Sequence, residues 1–100
     1  MKDKTSISHD EVIVKKLRSD PAFAVEYLKA AMEEGDEPQV LLIALRQIAE
    51  ARGGVAKVAK KAGIERESLY RALSSRGNPR FSTLLAVTKA MGLALTVEAA

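Results

Sequence analysis

The chain has no cysteine and only one histidine, His9. Without thiols there is no disulfide frame and no thiolate chemistry. One imidazole and no sulfur make too poor a ligand set for a structural zinc ion, so no metal is expected. No apolar run approaches the roughly 20 residues that span a bilayer. The opening "MKDKTSISHDE" lacks an apolar h-region, which predicts no signal peptide and a cytoplasmic protein. No internal repeat or low-complexity segment occurs. "ARGGVAK" is not a phosphate loop, because the GxxxxGK[ST] spacing is missing. Ser68, Ser74, Ser75 and Ser82 have no evident general base, so neither nucleophilic catalysis nor a cofactor is expected. His9 reads as a helix-entry residue rather than a base.

What is present is a chain of 100 residues, 47% hydrophobic and 29% charged. That composition suits one soluble domain with a modest core. The net charge of +3 is unevenly spread. Residues 1–52 carry eight Lys/Arg against ten acids, and residues 53–80 carry seven Lys/Arg against two acids. A basic stretch of this kind is the electrostatic footprint of a nucleic-acid surface, although a solvated lysine-rich helix face would give the same counts.

The punctuation predicts a string of helices. Asp10 to Leu17 is a weak first helix, apolar at Val12, Ile13 and Leu17. Asp20 as cap, Pro21 at the first position and Gly35 as a left-handed stop bound the second helix. Its apolar face is Phe23, Ala24, Tyr27, Leu28, Ala31 and Met32. Asp36 and Pro38 open a third helix, striped by Leu41, Leu42, Leu45, Ile48 and Ala49 and ended at Gly53-Gly54. A short fourth helix spans Val55 to Ala62, and a fifth begins near Glu65 and runs to about Ser75. "RGNPR" is a loop, and "FSTLLAVTKAM" is a sixth helix ending at Gly92. "LALTVE" alternates and reads as a strand over 93–98, whose partner would be residues 4–8, a second subunit or a bound protein.

Two short helices joined at Gly63 describe a helix-turn-helix. Ala59 allows a close crossing, Gly63 takes φ > 0, and Ile64 fills the angle between the helices. Leu69 and Ala72 point back at Val58 and Ala62. Arg66, Glu67, Tyr70, Arg71 and Ser74 remain on the open side, where a helix can enter a DNA major groove and arginine can grip guanine. Arg76, Asn78 and Arg80 suit phosphate contacts. Glu67 is spaced to pair with Arg71, or to accept from a cytosine amine. Tyr70 could meet a sugar or phosphate, or fold over Pro79. The acids of "EEGDE" (33–37) form a solvated loop or a docking patch for a basic partner.

The stretch "RGGVAKVAKKAGIERESLYRALSSRGNPRFSTLLAVTKAMGLALTVE" resembles the antidote proteins of addiction modules, which carry a lambda-repressor-like (Cro/XRE-type) helix-turn-helix. The upstream "DPAFAVEYLKAAMEEGDEPQVLLIALRQIAEARGG" fits the same family, so the likeness covers about positions 10–98, with "ESLYRALS..GNP.F.TLL" its specific part. The resemblance implies an antitoxin that represses its own operon, acts as a homodimer on double-stranded operator DNA and neutralises a small basic toxin. It puts Arg66, Glu67, Ser68, Tyr70 and Arg71 at the base edges. Lys57, Ser74, Arg76, Asn78 and Arg80 are expected at phosphates. Glu65 departs from the Ser or Asn more usual at that helix start. The expected architecture is all-α: N-terminal helices over 10–35, a helix-turn-helix core over 36–92 and a C-terminal strand over 93–98. The alternative is a protein-interaction module that inhibits a toxin with little or no DNA binding.

Overall fold

The computed structural model describes residues 8–34 and 36–100, and among these the regular structure is entirely helical. Six helices follow in order: α1 (His9–Ser19), α2 (Pro21–Glu33), α3 (Pro38–Ala51), α4 (Val55–Ala62), α5 (Arg66–Ala72) and α6 (Phe81–Ala90). α1 and α2 pack on α3 and on each other, α4 packs on α5 and α6, and α3 also touches α4. The third helix is therefore the shared wall between an N-terminal and a C-terminal group.

Local chemistry explains most helix ends. α1 starts at His9, one residue before the expected Asp10, because Ser8 and Glu11 form a capping box. The Glu11 amide donates to Ser8 Oγ and the Ser8 amide to Glu11 Oε1, both at 3.1 Å. Pro21 and Pro38 sit at the openings of α2 and α3, where their missing N–H and preset φ cost nothing. Asp20 precedes α2 as expected, but its side chain makes no capping hydrogen bond. The expected stop at Gly35 lies outside the described residues.

The core runs through both groups. Leu17, Leu45, Ile48, Leu69, Leu73, Val55, Val58 and Val87 are its largest fully buried side chains. Burying each such aliphatic group contributes about 1.5–3 kcal/mol relative to exposure. The expected stripe of α3 is there, joined by Ala44, Ala51 and the polar Gln47, which is 3% exposed. Met32 departs from the expected buried face of α2 and stands 47% exposed.

Two expected elements also differ. The helix expected to reach Ser75 ends at Ala72. Gly77 folds back over its last turn so closely that a Cβ there would lie 2.0 Å from the Ala72 carbonyl oxygen. The expected strand over 93–98 does not form, and no strand occurs among the described residues. A strand is defined by its ladder. The Leu93 amide instead donates to Thr88 O at 2.9 Å, closing the end of α6, and no backbone hydrogen bond among the described residues reaches beyond Leu93. Leu93 and Leu95 are half-buried and border a groove with α2, while Val97 is 96% exposed. Of the suggested partner strand, residues 4–7 lie outside the described residues, and Ser8 is spent as the cap of α1.

Candidate nucleic-acid interface

The α4–α5 pair is built from the inside out. Val55, Val58 and Ala59 of α4 and Leu69 of α5 are buried, with Ile64 and Ala72 half-buried against them. Gly63 closes α4 in the left-handed region, φ 73° and ψ 31°, and its neighbour Ile64 donates its amide to Ala59 O at 2.9 Å. A side chain at Gly63 would meet no neighbour within 4 Å, so the need for glycine there is conformational and not steric.

Burying Leu69 and Leu73 turns the opposite face of α5 outward. Arg66, Glu67, Tyr70 and Arg71 are all exposed, and Ser68 is half-buried. Their polar contacts are local. Ser68 Oγ donates to Glu65 Oε1 at 2.9 Å, and Arg71 Nη2 donates to Ser68 Oγ at 3.4 Å. Arg66 Nη2 lies 3.7 Å from Glu67 Oε2, with both side chains more than 60% exposed. The Glu67–Arg71 pair that the spacing allows does not form: Glu67 meets Arg66, and Arg71 turns to Ser68. An exposed pair of this kind contributes at most about 1 kcal/mol, so both arginines are cheap to redirect toward another acceptor. Glu65 does precede α5, and its carboxylate is held by Ser68 instead of by backbone amides.

After α5 the chain turns through Ser74 to Arg80. Ser74 Oγ donates to Arg71 O at 2.7 Å, and the Gly77 amide donates to Ser74 O at 2.9 Å. Those bonds use up the Ser74 hydroxyl proton and leave Arg76, Asn78 and Arg80 exposed, with Arg80 at the entry of α6. Lys57 does not join this loop. It lines a separate cleft with Arg52, Lys61 and the C-terminal end of α6.

This chain matches the model of the family described as "Probable addiction module antidote protein" over residues 8–99. The chain belongs to that antidote family. It is also 44% identical, over 72% of each chain, to a Haemophilus influenzae protein described as an uncharacterized protein. No solved structure matches it. Membership of an antidote family points to a regulatory protein with a toxin as its partner.

One polar group that spacing does not reveal lies in this antidote protein's N-terminal half. Gln47, buried on α3, receives a hydrogen bond from the Tyr27 hydroxyl and donates through Nε2 to Asp10 Oδ1 at 2.8 Å. Arg46 Nη2 reaches the same oxygen at 3.2 Å. The bond from Gln47 is the main reason that the Asp10 carboxyl is held below its usual range, with burial opposing and Arg46 assisting. Burial and the nearby Asp10 charge push the Tyr27 hydroxyl up. The group joins α1, α2 and α3, and its members satisfy one another. Among the described residues no buried side-chain nitrogen or oxygen is left unpaired. His9, Asp and Glu residues form no metal-binding group among the described residues, and no helix there is long and apolar enough to cross a membrane.

Proposed function

We propose that this antidote protein is a sequence-specific DNA-binding repressor of its own operon and the neutraliser of a small basic toxin, acting in the cytoplasm as a homodimer. The observation that carries the DNA reading is the outward face of α5, which holds Arg66, Tyr70 and Arg71 free of long-range contacts while Leu69 anchors the helix. α4 and α5 act as the helix-turn-helix. Arg66 and Arg71 donate to base acceptors, and Glu67, Ser68 and Tyr70 fill the same groove. Arg76, Asn78, Arg80 and Lys57 hold phosphates and set the register, and Ser74 joins them by turning its hydroxyl from Arg71 O to a phosphate. One reading helix covers few base pairs, so two copies are needed for useful discrimination. The toxin meets the exposed acids Glu33, Glu34, Asp36 and Glu37 at the α2–α3 junction, where opposite charge speeds encounter with a basic partner. The protein works by binding, without catalysis.

Arg66→Ala tests the assignment. It should weaken binding to a selected operator by about 1–3 kcal/mol and relax base preference, whereas Arg80→Ala should weaken all duplexes alike. Affinities for the operator and a scrambled duplex are measured side by side. An unchanged ratio in Arg66→Ala removes α5 from the reading role. Weak, salt-insensitive retention on any DNA would favour the protein-interaction module, for which the exposed acidic junction would then be the working surface.

A further inference from the structure

The cleft between α4 and the C-terminal end of α6 has a chemistry of its own. It encloses about 200 Å³ and is lined by Arg52, Lys57 and Lys61 over an apolar floor of Val58, Ala90 and Met91. Three cations share it, and no acid lines it. Among the described residues the ion pairs are Arg46–Asp10 and Arg66–Glu67, so none of the three has a carboxylate within 4.0 Å. Three like charges gathered over an apolar floor repel one another, and the concavity concentrates their field.

Two of the three are also held in place. Arg52 donates from Nε to Met91 O at 3.2 Å, which fixes the plane of the guanidinium. Lys57 runs back across Gly53, where its Cδ occupies the space a Cβ would need, at 2.7 Å. Among the described residues, neither lysine hydrogen-bonds to a carbonyl at the end of α6. The amides of Met91, Gly92 and Leu93 already serve the carbonyls of Val87, Thr88 and Lys89, and Arg52 serves that of Met91. A fixed fork with two ammonium groups and no internal anion is what a phosphate group needs.

We infer that the Arg52–Lys57–Lys61 cleft is a phosphate-binding site. Its ligand is either a backbone phosphate of bound DNA or the phosphate of a free small molecule, and the two sources share one recognition chemistry. The site stands apart from the α5 reading face and does not depend on it: an α5 that reads no sequence would leave the cleft intact. Lys57, already assigned a phosphate contact, gains two partners that neither the spacing nor the charge count singled out.

The test uses the full-length protein with Lys61→Gln, Lys57→Gln and the double variant, which keep the Arg52–Met91 contact. Arg52→Gln is added with its melting temperature as a check on folding. Each is titrated with a duplex of arbitrary sequence at several salt concentrations, and separately with inorganic phosphate and pyrophosphate by calorimetry. If DNA supplies the phosphate, the double variant loses about tenfold or more in affinity for every duplex. Its salt slope then shallows by about 0.9 per phosphate released. If a free molecule supplies it, pyrophosphate binds the parent protein saturably, and Lys61→Gln, which leaves Lys57 in place, loses that binding with duplex affinity unchanged. Either result supports the site. Variants that bind duplex and pyrophosphate as the parent does, at an unchanged melting temperature, overturn it.

Discussion

The two groups of helices on either side of α3 spend their polar side chains differently. In the N-terminal group, polar side chains reach across the fold: Tyr27 to Gln47, Gln47 to Asp10 and Arg46 to Asp10. In the C-terminal group, the side chain–side chain bonds of α5 stay three residues apart and exposed, and burial is left to Leu69, Leu73, Val58 and Val87. Polar groups locked in an internal network are unavailable to a partner. Groups in exposed local pairs can exchange those contacts for a ligand at little cost. This contrast separates the part of the protein that stiffens it from the part the proposed function uses.

Leu69→Ala should break the comparison hardest. Leu69 is wholly buried on the inner face of α5, opposite the proposed reading residues. Truncating a buried leucine costs about 2–5 kcal/mol through lost transfer and residual cavity. Denaturant unfolding should show that loss, and DNA affinity should fall with it even though no contacting group has been touched. A change below about 1 kcal/mol would mean that α5 is not anchored from within.

Gly77→Ala should come next, at about 1–3 kcal/mol, because the added methyl must displace the backbone of the last turn of α5. The cause is contact rather than φ, since Gly77 is absent from the glycines with positive φ. Thermal unfolding gives the size of the effect, and a melting temperature equal to the parent's would show that the loop can lift away. That contact also explains where spacing misled. The residues between Ala72 and Gly77 have acceptable helix propensity, and only the return of the chain over the carbonyls ends the helix at Ala72.

Punctuation made much of the rest legible. Pro21, Pro38, the Gly53-Gly54 pair and Gly63 mark boundaries that the structure keeps to within a residue or two. Ser8 and Glu11 carry the Ser-x-x-Glu signal of a capping box, which the apolar spacing alone passes over. Two features were not legible, for a common reason. Alternation at Leu93, Leu95 and Val97 states which side chains could share a face but supplies no ladder partner, so it could not decide for a strand. The Asp10–Gln47–Tyr27 group joins residues 20 and 37 positions apart, and no periodicity encodes such a meeting. The candidate site lay between these cases. The outward residues of α5 follow from the buried Leu69, whereas the preference of Glu67 for Arg66 over Arg71 depends on rotamers.

Gln47→Leu sharpens the comparison from the other side. Leucine roughly keeps the volume but withdraws an acceptor from the Tyr27 hydroxyl and a donor from Asp10. Leaving buried polar groups unserved costs about 1–3 kcal/mol, moderated here because Asp10 retains Arg46 and is partly exposed. Unfolding free energy should drop while binding to duplex DNA stays at the parent level once the protein is folded. A matching loss of DNA affinity would mean that the two groups of helices are coupled through α3 more tightly than their separate polar economies suggest.

The smallest effect belongs to Asp10 and appears as a pH dependence. Its carboxyl titrates lower in the folded chain than in the unfolded one, chiefly because Gln47 donates to the ionised form. The unfolded chain therefore binds the proton more readily, and stability from this group is fully present above the ordinary aspartate value of about 4. It fades as the pH falls through the lower folded value, where the carboxylate that Gln47 and Arg46 hold becomes neutral. Asp10→Asn lacks the charge at every pH, so it should be slightly less stable than the parent near neutrality, and the gap should narrow below about pH 4. Melting temperatures recorded for both proteins from neutral to acid measure that gap directly. Curves that stay parallel throughout would show that Asp10 contributes no proton linkage. The tie between α1 and α3 would then owe nothing to the ionisation of Asp10.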